Sequence, residues 1–273
     1  MYRAYWQLQQ KPFEAVLDPA FYYPGESHQA AMLKLRYAIE SRGGGSLLSG
    51  PFGCGKSLLV RMLRQSLGEC FTPFVHLVFP QMSTAELLAY LAGELAGSPV
   101  EGACPGLQES IRRIESFLIA NARQQRHAVV VIDEAQLLDQ PRTLEALRLL
   151  LNFQSDGQSC LTLLLVGQTG VLPLLERSPQ LEERLCVKCL MRNFSSQETA
   201  CYVQHRLKVA GARREIFTAE ALTTVYQLSH GVARRINRLC DLALLIAYAE
   251  GQERVSPAQL EAVHEELVGA AVD

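Results

Sequence analysis

The sequence has no excess of either charge and no long apolar run. Its 26 basic and 28 acidic residues give a formal net charge of -2, so the whole chain carries no electrostatic signature for nucleic acid or an anionic membrane. No stretch reaches the roughly 18 apolar residues of a membrane span, and the N-terminus lacks the apolar core of a signal peptide. With 48% hydrophobic residues among 273, we expect a soluble, cytoplasmic protein with a substantial core, in one large or two smaller domains.

Paired cysteine motifs are also scarce. The eight cysteines include only one C-x-x-C, at Cys186 and Cys189, without the second pair or nearby histidines that a zinc site needs. This motif lies in an alternating pattern typical of a strand, whereas redox pairs favour the start of a helix. We therefore expect reduced structural thiols, and half a zinc site or a redox pair remain the alternatives.

What the sequence does contain is a complete phosphate-binding pattern at residues 50–57. They read G-P-F-G-C-G-K-S and match G-x-x-x-x-G-K-[ST] at every fixed position. The run before the loop predicts a buried strand, and the run after it predicts a helix. The glycines let backbone N–H groups turn towards the β-phosphate, Lys56 would reach the β- and γ-phosphates, and Ser57 would ligate Mg²⁺. The predicted nucleotide-binding residues of this segment are Gly50, Pro51, Phe52, Gly53, Cys54, Gly55, Lys56, Ser57 and Leu58.

A pair of carboxylates forms the second constellation. Asp133 and Glu134 follow the apolar run 128–132, and the carboxyl ends of parallel strands meet at the edge of the sheet where the phosphate loop also begins. We expect Asp133 to hold Mg²⁺ and Glu134 to activate the attacking water; capping of the next helix is the alternative. Gln168, after the run 160–167, is placed to contact the γ-phosphate or the water. Phe13, in an aromatic N-terminal stretch, is a candidate wall for the adenine, and core packing is its alternative.

The element pattern divides the chain at residue 192. Residues 1–192 carry five strand patterns with helical crossovers, which predict an α/β domain with a parallel five-stranded sheet flanked by helices. Residues 193–273 show only helical patterns and predict a small all-helical lid domain. The predicted strands are 46–49, 74–79, 128–132, 160–167 and 185–191, the predicted lid helices are about 196–210, 218–229, 231–249 and 257–269, and a surface loop is predicted at 97–106.

These motifs, taken in order, resemble the AAA+ ATPases, and within them the general secretion pathway A family of bacterial ATPases. The resemblance covers nearly the whole chain and implies a P-loop ATPase that uses ATP and Mg²⁺. It implies that Gln168 is the first sensor and that Arg234 contacts the γ-phosphate from the lid. It also implies that Arg184 is an arginine finger entering a neighbouring subunit, for which a surface ion pair with Glu182 or Glu183 is the alternative. The residues that carry the resemblance are Tyr2 to Phe13, Asp18 and Pro19, His28, Gly50 to Ser57, Ile132 to Gln136, Leu144 to Leu150, Val166 to Gln168 and Gly231 to Asp241.

Two features depart from the family pattern. Ala233 stands where the family usually has proline, so Arg235 is an alternative to Arg234 as the lid sensor. Long members continue into a membrane span and a peptidoglycan-binding domain, whereas this sequence reads only to Asp273; it is similar to the short soluble members found with pilus or exopolysaccharide export systems.

The biological setting follows from the resemblance alone. It implies a homo-oligomer in the cytoplasm, peripheral to the inner membrane through partners, that assembles or regulates a secretion, pilus or exopolysaccharide machine. A DNA-associated ATP switch, such as a transposition regulator, remains an alternative, with Arg112, Arg113 and Arg123 among the residues of a local basic patch. A nucleotide-gated adaptor that does not hydrolyse ATP is a second alternative.

Overall fold

The structure of the protein is a computed structural model that describes residues 2–14, 17–97, 105–138 and 140–269. The chain forms two compact units. The sheet unit contains Ser27–Gly50 and Leu59–Met191, and the helical unit contains the described residues up to Glu26, the segment Pro51–Leu58, and the described residues from Arg192 onward. The domain boundary at 192/193 stays a prediction.

The sheet unit contains a five-stranded parallel sheet, as the sequence predicts. The strands in chain order are β1 (Gly45–Ser49), β2 (Phe74–Leu77), β3 (Ala128–Ile132), β4 (Gln154–Ser155), β5 (Gln158–Ser159), β6 (Leu161–Gly167) and β7 (Leu185–Leu190). The sheet order is β2-β3-β6-β1-β7, with all four pairings parallel, while β4 and β5 form a separate antiparallel pair. Every residue of β1, β3 and β6 is buried. Helices cover both faces of such a sheet, so its central strands are buried along their whole length.

Helices connect and follow the strands. In chain order they are α1 (Tyr2–Tyr5), α2 (Glu26–Glu40), α3 (Lys56–Ser66), α4 (Thr84–Ala96), α5 (Leu107–Arg123), α6 (Pro141–Leu150), α7 (Val171–Glu176), α8 (Pro179–Glu182), α9 (Ser196–Val209), α10 (Ala219–Ser229), α11 (Ala233–Ala249) and α12 (Pro257–Gly269), with 3-10 turns at Pro19–Phe21 and Ala135–Leu137. Capping boxes begin α4 and α9: Ser83 pairs with Glu86, and Ser195 pairs with Glu198. Each box satisfies N–H groups that the first helical turn leaves free.

The helical unit is built from α9 to α12 together with the N-terminal segment. Trp6 is fully buried and donates its indole N–H to the Leu244 carbonyl over 3.1 Å. Arg206, 5% exposed, lies over the Phe21 ring at 4.7 Å and donates to the carbonyl of Pro12. Aromatic residues near the N-terminus therefore contribute to the same core as the four helices.

Two local expectations need correction or qualification. β2 ends at Leu77, so the side chains of Val78 and Phe79, which were expected inside the strand, are 61% and 63% exposed. Of the loop predicted at 97–106, residues 98–104 lie outside the described residues. Among the described residues, no helix is both long and apolar enough to cross a membrane.

Candidate functional site

The glycine-rich segment begins where β1 ends. In the sheet unit, the Gly50 N–H donates to the Gly167 carbonyl over 3.2 Å, so the chain leaves β1 beside the carboxyl end of β6. Gly53 and Gly55 then have φ values of +76° and +101°. This is backbone that side chains disfavour, and it explains glycine at both positions.

The loop leads directly into α3, whose first residue is Lys56. Lys56 is 8% exposed, and its ammonium donates to the Pro51 carbonyl over 2.9 Å. The N–H groups at the start of a helix have no intrahelical partner and carry the positive end of the helix dipole. An arched glycine loop, a helix start and a buried lysine together suit a phosphate group.

Arg234 touches this loop within the helical unit. Its backbone N–H donates to the Gly53 carbonyl over 3.2 Å, and its guanidinium lies 4.3 Å from the centre of the Phe52 ring. A Cβ at Gly53 would lie 3.0 Å from the Cβ of Arg234, so the close approach also requires glycine. Arg235 is exposed, and among the described residues its side chain makes no hydrogen bond or ion pair.

The two carboxylates of the sheet unit follow β3. Asp133 is 3% exposed, and its Oδ1 accepts the Glu134 N–H over 2.9 Å. Glu134 adopts the left-handed conformation, with φ 51° and ψ 38°, and its side chain does not cap the 3-10 turn Ala135–Leu137. The helix-capping alternative is therefore not observed for Glu134.

Gln136 joins Glu134 to the end of β6. The amide nitrogen of Gln136 donates to the Glu134 carboxylate over 2.5 Å, and its amide oxygen accepts the backbone N–H of Gln168 over 2.9 Å. The side-chain amide of Gln168 lies 3.5 Å from the same Glu134 oxygen. The structure thus brings together Glu134, predicted to activate the attacking water, and Gln168, predicted to contact the γ-phosphate or that water.

Two further polar residues of this edge were not predicted as site residues. Gln136 lies two positions after Glu134, and its glutamine type was the only signal available. His76, which lies within the predicted strand 74–79, places Nε2 3.4 Å from Oδ2 of Asp133. A polar residue inside the apolar run of β2 was the signal that could have identified it.

The donor set fits a magnesium ion. Ser57 and Asp133, the two predicted ligands, offer a hydroxyl and a carboxylate, which are the hard oxygen donors that Mg²⁺ prefers. Asp133 lies at the carboxyl edge of the sheet and is almost fully buried. A bound divalent cation would offset part of the cost of burying this carboxylate.

Phe13 and Arg184 lie in different surroundings. Phe13 is 3% exposed in the core of the helical unit, edge-on to Phe217; its role beside adenine stays a prediction. Arg184 is exposed just before β7, and among the described residues its side chain forms no ion pair with Glu182 or Glu183. Its carbonyl accepts the N–H of Gly45, at the amino end of β1.

The C-x-x-C residues point to opposite faces of β7, since Cys186 is exposed and Cys189 is buried. Burial raises the pKa of Cys189 to about 11, which keeps this thiol protonated and disfavours it as a metal ligand. The seven cysteines within the described residues are all free; Cys104 lies outside them. In that same part of the chain, no three His, Cys, Asp or Glu side chains are grouped to hold a metal.

The sheet order, the glycine loop that follows β1 and the acidic end of β3 define an ATPase fold of the P-loop AAA+ class. The family described as "AAA domain" matches residues 39–175, and the chain belongs to it. The chain is also 35% identical over 258 residues to general secretion pathway protein A of Aeromonas hydrophila. That similarity covers 93% of this chain and 46% of the relative, so the chain spans less than half of that protein's length.

Solved structures share the fold. The Cdc6p structure from Pyrobaculum aerophilum has a TM-score of 0.72 at 16% identity, covering 93% of this chain and 70% of that one. The ORC2 protein of Aeropyrum pernix, in ADPNP and ADP complexes, has a TM-score of 0.69 at 18% identity, with 94% and 72% covered. The RuvB Holliday junction branch migration motor of Thermotoga maritima has a TM-score of 0.61 at 17% identity, with 89% and 69% covered.

Proposed function

We propose that this chain binds ATP with Mg²⁺ through residues 50–58 and hydrolyses it with Glu134. The observation that carries the proposal is the grouping of Glu134, Gln136 and Gln168 at the carboxyl edge of the sheet, the edge from which β1 continues directly into the glycine loop. A carboxylate and amides at that edge can orient a water molecule and accept its proton.

In the proposed reaction, Glu134 accepts a proton from the attacking water. The water oxygen forms a bond to the γ-phosphorus while the bond from that phosphorus to the bridging oxygen breaks, which yields ADP and phosphate. Lys56 holds the β- and γ-phosphates, and Arg234 senses the γ-phosphate from the lid. Ser57 and Asp133 would hold Mg²⁺, which when bound offsets the negative charge that develops on the phosphate oxygens.

The central test separates binding from hydrolysis. Lys56→Ala should abolish binding of a fluorescent ATP analogue because the phosphates lose their cation, whereas Glu134→Gln should bind ATP and release almost no phosphate. Lys34→Ala and Glu69→Gln, at exposed positions outside the site, are the matched controls and should behave as wild type. Undiminished phosphate release by Glu134→Gln would contradict the catalytic role of Glu134, and phosphate release that persists without magnesium would contradict the metal requirement.

The secretion pathway is proposed from similarity to general secretion pathway protein A. We infer that this chain forms a nucleotide-dependent homo-oligomer and couples its nucleotide state to the assembly or regulation of a bacterial secretion, pilus or exopolysaccharide export system. The chain spans only part of that relative, so the partner is to be identified by co-purification of Glu134→Gln, which holds ATP, compared with Lys56→Ala, which does not.

A DNA-associated switch is the second candidate. It is favoured by the solved structures that share this fold, among them an ORC bound to DNA and a Holliday junction motor. Arg112, Arg113 and Arg123 of α5, with Arg126 just after it, are basic residues of the sheet unit that could contribute to such a patch. The net charge of -2 disfavours it. ATP-dependent retention of duplex DNA that weakens steeply with salt would support this candidate over the export role.

A further inference from the structure

The side chain of Gln136 lies between the proposed catalytic carboxylate and the neighbouring strand. Its amide nitrogen contacts the Glu134 carboxylate at 2.5 Å, and its amide oxygen contacts the Gln168 N–H at 2.9 Å. A side-chain amide donates through its nitrogen and accepts through its oxygen without carrying charge. Glutamine at this position can therefore satisfy both partners at once.

The place of the Gln136 amide depends on the absence of a side chain at Gly167. A Cβ at Gly167, the last residue of β6, would lie 2.7 Å from the Gln136 amide oxygen. Real Cβ contacts are essentially never that short, so any larger residue at 167 would push the Gln136 amide out of its place. Glycine at 167 and glutamine at 136 are thus matched to each other.

The backbone conformation of Glu134 gives a reason for holding its carboxylate with the hydrogen bond from Gln136. This residue has a positive φ of 51°, which non-glycine residues rarely adopt, and it lies between β3 and a 3-10 turn rather than within regular structure. Its carboxylate is half-buried at the sheet edge, where the amides of Gln136 and Gln168 converge on a single oxygen. One carboxylate oxygen is therefore engaged, which leaves the other oxygen of Glu134 for a water molecule.

We propose that Gln136 is a positioning residue for ATP hydrolysis. It orients the Glu134 carboxylate and links its position to Gln168, which directly follows β6. A displacement of Gln168 is therefore transmitted to the Glu134 carboxylate. The inference rests on the proposed function, because it assigns Gln136 a task only if Glu134 activates water.

Steady-state ATP hydrolysis tests this role with two substitutions at the same position. Gln136→Ala removes both contacts, whereas Gln136→Glu keeps the acceptor for the Gln168 N–H and replaces the donor by a second carboxylate. Both should lower kcat by about tenfold to a hundredfold, because the reacting group is misplaced, with KM changed by less than about twofold, because the phosphate loop is intact. Equal affinity for a fluorescent ATP analogue verifies folding. A wild-type kcat in Gln136→Glu would overturn the orienting contact with Glu134.

A double substitution distinguishes the proposed bridging role of Gln136 from a purely structural effect. Gly167→Ala should lower kcat as Gln136→Ala does. The Gln136→Ala, Gly167→Ala double variant should be no slower than either single variant, because the Gln136 amide oxygen that the new methyl group would strike has been removed. Gly170→Ala is the matched control: its Cβ would meet that of Gln136 at an ordinary 3.7 Å, so turnover should stay at the wild-type level. Additive losses in the double variant would overturn the proposal.

The same measurements keep the two proposals apart. Wild-type turnover in Gln136→Ala alongside stalled turnover in Glu134→Gln would reject only the role of Gln136. Undiminished turnover in Glu134→Gln would reject the proposed catalytic function itself.

Discussion

Arg234 is the lid residue whose contacts with the phosphate loop are specific. It donates to Gly53 and lies over Phe52, whereas Arg235, one position later, is exposed and makes neither contact. Successive residues of a helix point about 100° apart, so only one of two adjacent arginines can face the loop. These contacts favour Arg234 over Arg235 as the lid sensor.

We expect Arg234→Ala to slow ATP hydrolysis by at least about tenfold, since removing a charge-assisted phosphate contact costs more than about 1.4 kcal/mol. Arg235→Ala should leave hydrolysis unchanged and serves as the control. Phosphate release at saturating ATP measures both. Equal losses in the two variants would contradict the assignment of Arg234.

At the residue scale the sheet unit also contains a buried histidine. His127 is fully buried, and its Nε2 lies 2.8 Å from the Thr162 hydroxyl. Burial, aided by the positive charge of Arg42, lowers the pKa of His127 from 6.5 to about 4. The unfolded chain therefore takes up this proton at a higher pH than the folded chain does.

This difference makes stability depend on pH in a definite direction. As the pH falls from 6.5 towards 4, the unfolded state binds more protons, so the free energy of unfolding should fall, by about 2 kcal/mol between pH 7 and pH 5. Urea unfolding of wild type and His127→Gln at both pH values measures the effect. The variant should lose less stability between pH 7 and pH 5; an equal loss in both proteins would contradict a depressed pKa for His127.

At the element scale, the start of α11 depends on one glycine. Gly231 has a φ of +69°, its carbonyl accepts the Phe194 N–H over 3.0 Å, and a Cβ there would lie 1.9 Å from the Phe194 carbonyl oxygen. Because the obstacle is backbone, a side chain at 231 cannot be accommodated by a rotamer change. This close packing precedes the helix that carries Arg234.

We expect Gly231→Ala to lower the free energy of unfolding by about 3 kcal/mol or more, through overpacking and backbone strain. Gly251→Ala is the matched control: Gly251 has a similar φ of +67°, but nothing lies within 4 Å of its Cβ position, so only the strain of about 1–2 kcal/mol remains. Chemical denaturation compares the two. Similar losses of unfolding free energy in both variants would show that the contact with Phe194 does not affect stability.

At the scale of the whole molecule, the proposed role of Arg184 depends on its place beside β1, at the opposite end of that strand from Gly50. The Arg184 carbonyl pairs with Gly45, whereas the loop begins at Gly50, about 16 Å further along at the rise of an extended strand. An arginine side chain cannot span this distance. The position is consistent with the proposal that Arg184 acts in a neighbouring subunit.

Mixing inactive variants tests this arrangement. Arg184→Ala should lower turnover by about 1,000-fold if it removes an arginine finger. Adding Lys56→Ala subunits, which do not bind ATP but retain Arg184, should restore hydrolysis at interfaces where the two variants meet. As the control, a Lys56→Ala, Arg184→Ala double variant should restore nothing. If turnover does not recover in mixtures whose mass shows assembly with a non-hydrolysable ATP analogue, Arg184 does not act in trans.

Much of the fold could be predicted because its signals are local. The strand β3 is a continuous apolar run, β6 is apolar apart from Thr162 and its last residue, the capping residues Ser83 and Ser195 precede their helices directly, and Gly55 is a fixed glycine of the phosphate-binding pattern with a positive φ. Each of these features depends on hydrogen bonds and side-chain periodicity within a few residues. The end of β2 was predicted wrongly for the same reason. Val78 and Phe79 continue the apolar run of the sequence, but strand pairing ends at Leu77.

The sequence by itself therefore determined the phosphate loop, the order of strands and helices along the chain, and the acidic pair after β3. Only the tertiary structure decided that Gln136 bridges Glu134 and Gln168, that Gly167 makes space for it, and that the aromatic N-terminus packs with the helices of the helical unit. The physical reason is separation along the chain: the Gln136 and Gln168 contact joins residues 32 positions apart. Which side chains meet over that distance depends on the register between β3 and β6, and a one-residue shift would turn every side chain to the other face.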